Sequence, residues 1–454
     1  MINSIIELES EDTLADKFRI TGGETLKGEV SIGGAKNAVL KLLAATILVK
    51  GSTKIYNVPK LTDVEIMLNV ISDLGASCIY DKEEKSVVVN AANISSITAK
   101  YELVSKMRAS FIILGALMSR CREAIVALPG GCAIGERRVD FHIKGLEALG
   151  AKIKIENGYV HAKASKLVGT DIYLDIPSVG ATENLMLASV TAEGSTRIQN
   201  AAQEPEIVDL ANFLNTLGAD ISGAGTSEIV INGVKTESLH PAEYTTIPDR
   251  IEAGSFMAAV VATKGKAVIK NVYPAHLTFF NDKLIKMGAN IKLIEPTTIE
   301  VSCKNRLNSI NFVTQPYPGF PTDLQAIAMT LLTTANGVGI ITESLYENRF
   351  MQVPDLRRMG ADIHQDRNHA IIKGVKNLTG ATVAASDLRA GAALVIAGLM
   401  ANGETIVEKL HHIDRGYEDF EQKLTALGAK IIRYNEENPA ERNNPSPINI
   451  RGIL

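Results

Sequence analysis

The sequence predicts an α/β protein of two domains, each built from three copies of one unit of about 70 residues. A chain of 454 residues is too long for one ordinary hydrophobic core, which favours two domains. An apolar helical pattern that ends in Leu or Met and is followed by Gly-Ala occurs six times, and the successive glycines lie 75, 68, 70, 72 and 68 residues apart. The six motifs are Leu74-Gly75-Ala76, Leu149-Gly150-Ala151, Leu217-Gly218-Ala219, Met287-Gly288-Ala289, Met359-Gly360-Ala361 and Leu427-Gly428-Ala429. We expect the binding site in the cleft between the two sets of three units.

Each unit is predicted to run helix, strand, loop, helix, strand, strand. The glycine of the repeated motif suits a left-handed residue at the end of a helix. Alternating apolar and polar residues follow it, as at 152–155 and 159–162, and predict two short strands. Upstream lie an Ala-rich apolar helix, a turn that contains glycine and a β-branched strand, as at 402–408. One unit is too small to bury its own apolar faces securely, so the units must pack together.

The start of the chain is predicted to belong with the last units. Residues 17–20 have the pattern of a strand, and so do residues 28–32, which precede the first apolar helix. The expected division is an acidic N-terminal extension at 1–16, a first domain at 17–35 plus 247–434, a second domain at 36–246 that carries the loop around Cys132, and a C-terminal tail at 435–454. We assign no role to the extension or the tail.

Composition narrows the class of protein. The formal net charge is -4, with 47 Lys+Arg against 51 Asp+Glu, so no global basic field indicates a nucleic-acid partner. The start has no signal-peptide pattern, and the apolar runs are too short to span a bilayer. Four scattered cysteines without C-x-x-C spacing disfavour a zinc site or a disulfide framework. We therefore expect a cytoplasmic protein without membrane insertion, a nucleic-acid partner or a zinc site.

The most distinctive segment is 128–142. Glycines and other small residues surround Cys132, and two adjacent arginines, Arg137 and Arg138, follow it. Glycines let a loop close over a ligand, arginines bind phosphate or carboxylate, and positive charge lowers the pKa of a thiol. The segment alone leaves two interpretations open, which are a reactive cysteine on a mobile anion-binding lid and a buried structural thiol in an ordinary loop.

Cations recur at equivalent positions of the units. Some precede or begin the first helix, where a positive charge opposes the helix dipole and calls for a compensating anion. Others lie in the loop after the following strand. The set is Lys36, Arg108 and Arg389 at helix entries, and Arg137, Arg349 and Arg415 in loops. Any one of them alone is more often a cap or a solvated ion pair, but the repetition favours a small substrate with several negative charges.

Asp323 is the acidic exception among these cations. It follows Pro321 at a helix entry, where an Asp is commonly a cap or a first-turn acid. The functional alternative is a general base that takes a proton from a hydroxyl group. We interpret Asp249 and Glu252 as cap and ion-pair groups, and His142 and His412 as side chains that orient their neighbours.

Taken together, the motifs resemble the UDP-N-acetylglucosamine 1-carboxyvinyltransferase family of the EPSP synthase superfamily. The motifs are ordered, spread over every unit and cover about residues 17–434. They are Gly33-Gly34-Ala35-Lys36-Asn37, Met107-Arg108-Ala109-Ser110, Pro129-Gly130-Gly131-Cys132, Ser178-Val179-Gly180-Ala181-Thr182, Glu204-Pro205-Glu206-Ile207-Val208-Asp209, Phe320-Pro321-Thr322-Asp323, Glu347-Asn348-Arg349-Phe350, Asp387-Leu388-Arg389 and His412-Ile413-Asp414-Arg415-Gly416. The resemblance implies two inside-out α/β barrels of three units each, joined by a double crossover. It also implies transfer of the enolpyruvyl group of phosphoenolpyruvate to the 3′-hydroxyl of UDP-N-acetylglucosamine in peptidoglycan synthesis.

The resemblance further implies roles for individual residues, with no cofactor or metal. Cys132 would be the acid that protonates the methylene carbon and Asp323 the base, with Lys36 and Arg415 as further catalytic residues. Phosphoenolpyruvate would contact Lys36, Asn37, Arg137, Arg349, Arg389 and Arg415. The nucleotide sugar would contact Asn37, Arg108, Arg137, Arg138, Val139, Asp140, Phe141, Ser178, Val179, Asp323 and Leu345.

Two alternatives remain open at this stage. One is the sister activity on shikimate 3-phosphate, which shares the implied fold and chemistry. The other is a catalytically silent paralogue that binds the UDP-sugar and regulates cell-wall synthesis through protein partners. The presence of Lys36, Cys132, Asp323 and Arg415 disfavours the silent paralogue.

Overall fold

The six glycines of the repeated motif end helices as predicted. The computed structural model of the chain describes residues 16–129 and 139–435. Within it all six glycines have a left-handed φ, between +91° and +113°. This conformation suits glycine because it has no Cβ. The six positions are Gly75, Gly150, Gly218, Gly288, Gly360 and Gly428.

Helices and strands alternate along the whole described chain. The α-helices are α1 (Lys36–Ala45), α2 (Thr62–Asp73), α3 (Tyr101–Val104), α4 (Ile113–Cys121), α5 (Asp140–Ala148), α6 (Val179–Ser189), α7 (Pro205–Thr216), α8 (Arg250–Ala262), α9 (Thr278–Met287), α10 (Gln325–Thr333), α11 (Val353–Arg358), α12 (Leu388–Met400) and α13 (Phe420–Ala426). Short 3-10 turns are Thr46–Leu48, Arg108–Ile112, Thr236–Ser238, Pro274–Leu277, Thr322–Leu324 and Leu410–His412. The strands are β1 (Asp16–Thr21), β2 (Lys27–Ser31), β3 (Ser52–Tyr56), β4 (Ser77–Asp81), β5 (Ser86–Asn90), β6 (Thr98–Ala99), β7 (Glu123–Ala127), β8 (Lys152–Glu156), β9 (Tyr159–Lys163), β10 (Asp171–Tyr173), β11 (Ser195–Gln199), β12 (Asp220–Ser222), β13 (Glu228–Asn232), β14 (Glu243–Thr245), β15 (Lys266–Lys270), β16 (Asn290–Glu295), β17 (Thr298–Ser302), β18 (Phe312–Val313), β19 (Val338–Thr342), β20 (Asp362–Asp366), β21 (His369–Lys373), β22 (Thr382–Ala384), β23 (Glu404–Glu408) and β24 (Lys430–Asn435).

The strands of the described chain form six four-stranded sheets with one shared design. The orders are β14-β3-β5-β4, β6-β7-β9-β8, β10-β11-β13-β12, β16-β17-β15-β2, β18-β19-β21-β20 and β22-β23-β1-β24. Each sheet has one parallel pair at its edge, such as β6 with β7, and its other pairings are antiparallel. The sequence predicted three strands for each unit. The fourth strand was missed in most units because strands of two or three residues, such as β6 and β10, are too short to show periodicity.

Three sheets contain a strand contributed by a distant part of the chain. Strand β2 directly precedes α1, yet it pairs in parallel with β15, with Val30 opposite Ile269. Strand β14 directly precedes α8, yet it pairs in parallel with β3, with Tyr244 opposite Ile55. The chain therefore crosses over twice, as the resemblance implied. Strand β1 completes the last sheet between β23 and β24, so the prediction that the chain start belongs with the last units is confirmed.

The buried apolar side chains of the described residues form two separate cores. One core draws on residues 18–32 and 251–431, which we call lobe A, and the other on residues 39–239, which we call lobe B. The domain boundaries given above from the sequence stay a prediction.

Each core is built around helices that are buried on nearly every side. In lobe A, α8, α10 and α12 are apolar around almost their whole circumference, and in α12 every residue from 389 to 399 is buried. The sheets lie outside these helices, and large apolar side chains such as Leu293 remain on their solvent faces. The predicted inside-out arrangement, with helices within and sheets without, is confirmed. Among the described residues no helix is both long and apolar enough to cross a membrane.

Candidate active site

Asp323 is bound by two of the predicted anion-binding arginines. It lies in the 3-10 turn that leads into α10, and Pro321 fixes the approach to that turn. Arg349 Nη2 donates to Asp323 Oδ1 over 2.6 Å, and Arg389 Nη2 donates to Asp323 Oδ2 over 3.1 Å. Both arginines are buried, while a quarter of the Asp323 side chain is exposed. The carboxylate is thus held by two guanidinium groups and remains partly exposed.

Arg389 has donor capacity that the described residues do not use. Burial would lower the pKa of its guanidinium group, but Asp323, Tyr417 and Asp249 raise it above the ordinary value, so the group stays charged. Its Nη1 is buried and has no hydrogen-bond partner among the described residues. A buried unsatisfied donor is costly. An anion that accepted from Nη1 would remove this cost.

A second cluster joins Lys36 and Arg415 through Asp63. Lys36 is the first residue of α1, and its Nζ lies 2.7 Å from Asp63 Oδ2. Arg415 Nε donates to Asp63 Oδ1 over 2.8 Å, and its Nη2 donates to Asp63 Oδ2 over 3.3 Å. Asp63 is buried in the first turn of α2. One carboxylate of lobe B therefore holds two predicted phosphate-binding cations, one of which comes from lobe A.

The pKa values of this cluster are shifted by burial and by charge. Burial would raise the pKa of Asp63, but Lys36 and Arg415 lower it below the ordinary value, so the carboxylate is ionised. Burial lowers the pKa of Lys36, and the positive charges of Arg415 and Arg389 lower it further, although Asp63 opposes them. Lys36 therefore releases its proton more readily than an exposed lysine does.

Asp249 and Glu252 have the structural roles predicted for them. Asp249 caps α8 by accepting from the backbone N–H groups of Ile251 and Glu252, over 2.8 and 3.0 Å. Its other oxygen accepts from the backbone N–H of Lys36, over 3.1 Å. Glu252 accepts from Lys423 Nζ over 2.6 Å. These contacts fix the start of α1, and with it Lys36, against lobe A.

His142 is a buried, neutral positioning group in lobe B. Burial and the charge of Arg108 lower its pKa to about 3. Asn184 Oδ1 accepts from the backbone N–H of Gly115 over 2.5 Å, so its Nδ2 is the atom that donates to His142 Nδ1 over 2.7 Å. The proton of the imidazole therefore lies on Nε2. The ring packs edge-on against Phe111, next to the predicted nucleotide-sugar contact Arg108.

The other predicted contacts are spread over the entries of α1, α5 and α6 and one loop of lobe A. Ser178 caps α6, its Oγ accepting from the backbone N–H of Ala181 over 3.4 Å. Asn37 and Val179 lie in the first turns of α1 and α6, Val139 precedes α5, Asp140 and Phe141 begin it, and Leu345 follows β19. Leu345 lines a cavity of about 780 Å³ formed by residues 343–348, 350–351, 365 and 367–368. Cys132, Arg137 and Arg138 lie outside the described residues, so their placement stays a prediction.

Two buried acids, Asp63 and Glu343, and the half-buried Thr322 support the site, and no role was assigned to them from the sequence. Asp63 was overlooked although it follows the loop Pro59-Lys60-Leu61, which occupies an equivalent position to other cation-bearing loops. Thr322 Oγ1 accepts from Arg349 Nη1 and donates to Glu343 Oε2. Thr322 adjoins Asp323, but no sequence signal marks Glu343, because its partners come from separate segments. The described residues contain no cluster of three or more His, Cys, Asp or Glu side chains that could hold a metal ion.

Comparison with known proteins defines the class to which this site belongs. The profile of the family described as EPSP synthase (3-phosphoshikimate 1-carboxyvinyltransferase) matches residues 20–424. The chain belongs to this family of carboxyvinyl transferases. The crystal structure of the enolpyruvyl transferase NikO from Streptomyces tendae is similar, with a TM-score of 0.84 and 26% identity over 92% of this chain and 99% of that chain. EPSP synthase from Acinetobacter baumannii shares the fold, with a TM-score of 0.69 and 18% identity over 92% of this chain and 100% of that chain.

Curated relatives narrow the position of the chain within the family. The chain is 53% identical to UDP-N-acetylglucosamine 1-carboxyvinyltransferase 2 of Carboxydothermus hydrogenoformans, over 93% of this chain and the whole of the relative. It is 51% identical to the UDP-N-acetylglucosamine 1-carboxyvinyltransferase of Gloeobacter violaceus, over 93% and 91% of the two chains. It is 50% identical to UDP-N-acetylglucosamine 1-carboxyvinyltransferase 1 of Staphylococcus aureus, over 93% of this chain and 100% of the relative. The predicted resemblance is confirmed, and the protein is a transferase.

Proposed function

We propose that this enzyme transfers the enolpyruvyl group of phosphoenolpyruvate to the 3′-hydroxyl of UDP-N-acetylglucosamine and releases phosphate. Relatives with this activity in their names match nearly the whole chain at about half identity. The observation that carries the proposal is the pairing of Asp323 with Arg349 and Arg389, close to the cluster of Lys36, Asp63 and Arg415. Phosphoenolpyruvate has a carboxylate and a phosphate, and these two groups match the two clusters of cations.

The carboxylate of phosphoenolpyruvate would bind Arg349 and Arg389. These arginines now hold Asp323, so the incoming carboxylate competes with Asp323 for the same donors. Arg389 Nη1 gives the substrate an additional donor. Once its arginines are shared with the substrate, Asp323 can take the proton of the sugar hydroxyl. Binding of one substrate would thus prepare the base for the other.

The phosphate would bind Lys36 and Arg415, with Arg137 as a third contact from the segment that the structure does not describe. As Asp323 removes its proton, the 3′-oxygen attacks the second carbon of phosphoenolpyruvate. Cys132 donates a proton to the methylene carbon, which gives a tetrahedral ketal. The Cys132 thiolate takes back a proton from the new methyl group as phosphate departs, which restores the double bond. Positive charge on both anionic groups stabilises the charge that develops in the two steps.

Lys36 is suited to assist the departure of phosphate. Burial and the neighbouring arginines lower the pKa of its ammonium group, so the group can donate a proton to the leaving oxygen as well as bind it. Asp63 prevents the pKa from falling further and keeps Lys36 beside Arg415. Both substrates of this reaction are polar metabolites of the cell interior, so we also propose a cytoplasmic location.

Two other functions, transfer to shikimate 3-phosphate and a silent regulatory role, can be tested in the same experiment. The matching family profile has the name of the shikimate 3-phosphate enzyme, which keeps that activity as the second candidate, but relatives at about 50% identity favour the nucleotide sugar. A silent paralogue that acts through regulatory protein partners would not need the cation clusters to be complete. Incubation of the purified chain with phosphoenolpyruvate and each acceptor, followed by measurement of phosphate release, separates the three. Release with UDP-N-acetylglucosamine alone is expected, and its absence would refute the proposal.

A further inference from the structure

Glu343 is a buried acid with four hydrogen-bond donors and no ion-pair partner among the described residues. It directly follows β19, and only 1% of its surface is exposed. Its Oε1 accepts from Thr314 Oγ1 over 2.7 Å and from the backbone N–H groups of Leu345 and Tyr346 over 2.9 and 3.2 Å. Its Oε2 accepts from Thr322 Oγ1 over 2.9 Å. A buried carboxylate without a cation is expensive, so the arrangement calls for an explanation.

The Thr322 hydroxyl connects this acid to the active site. A guanidinium group only donates and a carboxylate only accepts, so the direction of each hydrogen bond is fixed. Arg349 Nη1 donates to Thr322 Oγ1 over 3.0 Å, and the single hydroxyl proton of Thr322 is directed to Glu343. Arg349 Nη2 is thereby left to bind Asp323. Glu343 determines which way Thr322 points, and Thr322 determines which nitrogen of Arg349 meets Asp323.

The same acid also shapes the loop that carries Leu345 and Arg349. The Glu343 side chain accepts from the backbone N–H groups of Leu345 and Tyr346, and these two hydrogen bonds close the turn immediately after β19. The backbone of Glu343 is tied to the hairpin turn between β20 and β21, because its N–H donates to the carbonyl of Asn368 and its carbonyl accepts from Asn368 Nδ2. Glu343 therefore connects the loop predicted to contact the nucleotide sugar with the arginine predicted to bind phosphoenolpyruvate.

We propose that Glu343 is a positioning residue for the transfer reaction, which holds Thr322 and Arg349 in the geometry that Asp323 requires. The proposal rests on the proposed function. A purely structural acid would affect the stability of the loop and leave the chemical step unchanged. We call the chain of hydrogen bonds from Glu343 through Thr322 and Arg349 to Asp323 the relay. The relay predicts a lower kcat for variants of Glu343, because the positions of Arg349 and Asp323 depend on the hydroxyl proton of Thr322.

The test is Glu343→Gln, which keeps the shape and changes one acceptor into a donor. The backbone N–H groups require the Gln oxygen at the position of Oε1, so the amide nitrogen faces Thr322 and competes with Arg349 for its oxygen. We expect kcat to fall by about tenfold or more while the melting temperature changes by only a few degrees. Thr322→Val should have a similar effect, Thr322→Ser should restore most of the rate, and the double variant Glu343→Gln/Thr322→Val should be little worse than either single variant.

The matched control is Thr330→Val in α10. Thr330 is a fully buried threonine whose hydroxyl, among the described residues, donates to the carbonyls of Ala326 and Ala393 and not to a charged group. It should keep the parental kcat. A Glu343→Gln variant with parental kcat, or losses that add fully in the double variant, would overturn the proposal. If the parent itself releases no phosphate with the nucleotide sugar, the proposed function fails separately. The relay is then tested by calorimetric titration with phosphoenolpyruvate, for which Glu343→Gln should bind about tenfold more weakly and equal binding would refute the relay.

Discussion

At the scale of single residues, the candidate active site consists of charges that neutralise one another in the substrate-free protein. Asp323 holds Arg349 and Arg389, and Asp63 holds Lys36 and Arg415. Buried cations of this kind are costly without partners. An internal carboxylate keeps each pair in place, so the anionic substrate enters a site that is already organised.

Asp323→Ala tests the role of the base. Without the carboxylate, we expect kcat to fall by about 10²–10⁴-fold, because no other described acid contacts Arg349 and Arg389. The KM for phosphoenolpyruvate should not rise, because the substrate no longer competes with Asp323 for the two arginines. Steady-state kinetics in both substrates measure this. A rate close to that of the parent would mean that Asp323 is only structural.

Cys132→Ser tests the proton donor. We expect loss of turnover and resistance to alkylation by the epoxide fosfomycin, since a hydroxyl group is a far weaker acid and nucleophile than a thiol. The matched control is Cys121→Ser, because burial raises the pKa of the Cys121 thiol and makes it unreactive. The control should retain both activity and sensitivity. Equal alkylation of Cys132→Ser and the parent, followed by mass spectrometry, would contradict the assignment.

At the scale of elements, the site is assembled from the starts of helices. Lys36 begins α1, Asp63 lies in the first turn of α2, and Arg389 lies in the first turn of α12 behind its cap Asp387. The sequence repeat predicted Lys36 and Arg389 because the same helix entry recurs in every unit. It could not predict Asp63 or Glu343, whose importance comes from contacts between separate units. Single-sequence patterns do not record such contacts.

The contact between Lys36 in α1 and Asp63 in α2 should determine how activity depends on pH. Lys36 must be protonated to bind phosphate, and its pKa already lies below the ordinary value. Activity is therefore lost as pH rises through that lowered pKa. Asp63 raises the pKa of Lys36, so Asp63→Asn should lower it further and move the alkaline limb of kcat/KM for phosphoenolpyruvate to lower pH. A pH–rate profile in which this limb stays in place or moves to higher pH would contradict the prediction.

At the scale of the whole molecule, the number of units followed from the spacing of six glycines. The short fourth strands and the exact pairing of β2 and β14 could not be predicted from the sequence, because they depend on sheet partners far away in sequence.

The two lobes also contact each other through charged side chains that no sequence pattern marks. Glu418 of lobe A accepts from Lys85 Nζ over 2.7 Å and from the backbone N–H of Lys60 over 3.0 Å, both in lobe B.

Glu418→Gln tests this contact between the lobes. Burial would raise the pKa of Glu418, but Lys85 and the N–H of Lys60 lower it, so the carboxylate is charged near neutral pH. Without this charge, we expect a larger radius of gyration for the substrate-free protein in small-angle X-ray scattering. Glu421→Gln is the control, because Glu421 pairs with Arg433 of its own lobe, and it should leave the radius unchanged. An unchanged radius for Glu418→Gln would show that other contacts set the distance between the lobes.

The double crossover has a consequence for synthesis on the ribosome. Strands β1 and β2 emerge first, but their partners β15, β23 and β24 lie 235 residues or more further along the chain. Lobe B has all its strands between β3 and β14 and can fold while lobe A is still being made. Strand β2 stays unpaired until β15 has left the exit tunnel, and β1 until β23 has, so both strands are available for wrong pairing in the meantime. Newly made chains should therefore need chaperone protection of β1 and β2 until these partner strands have been made.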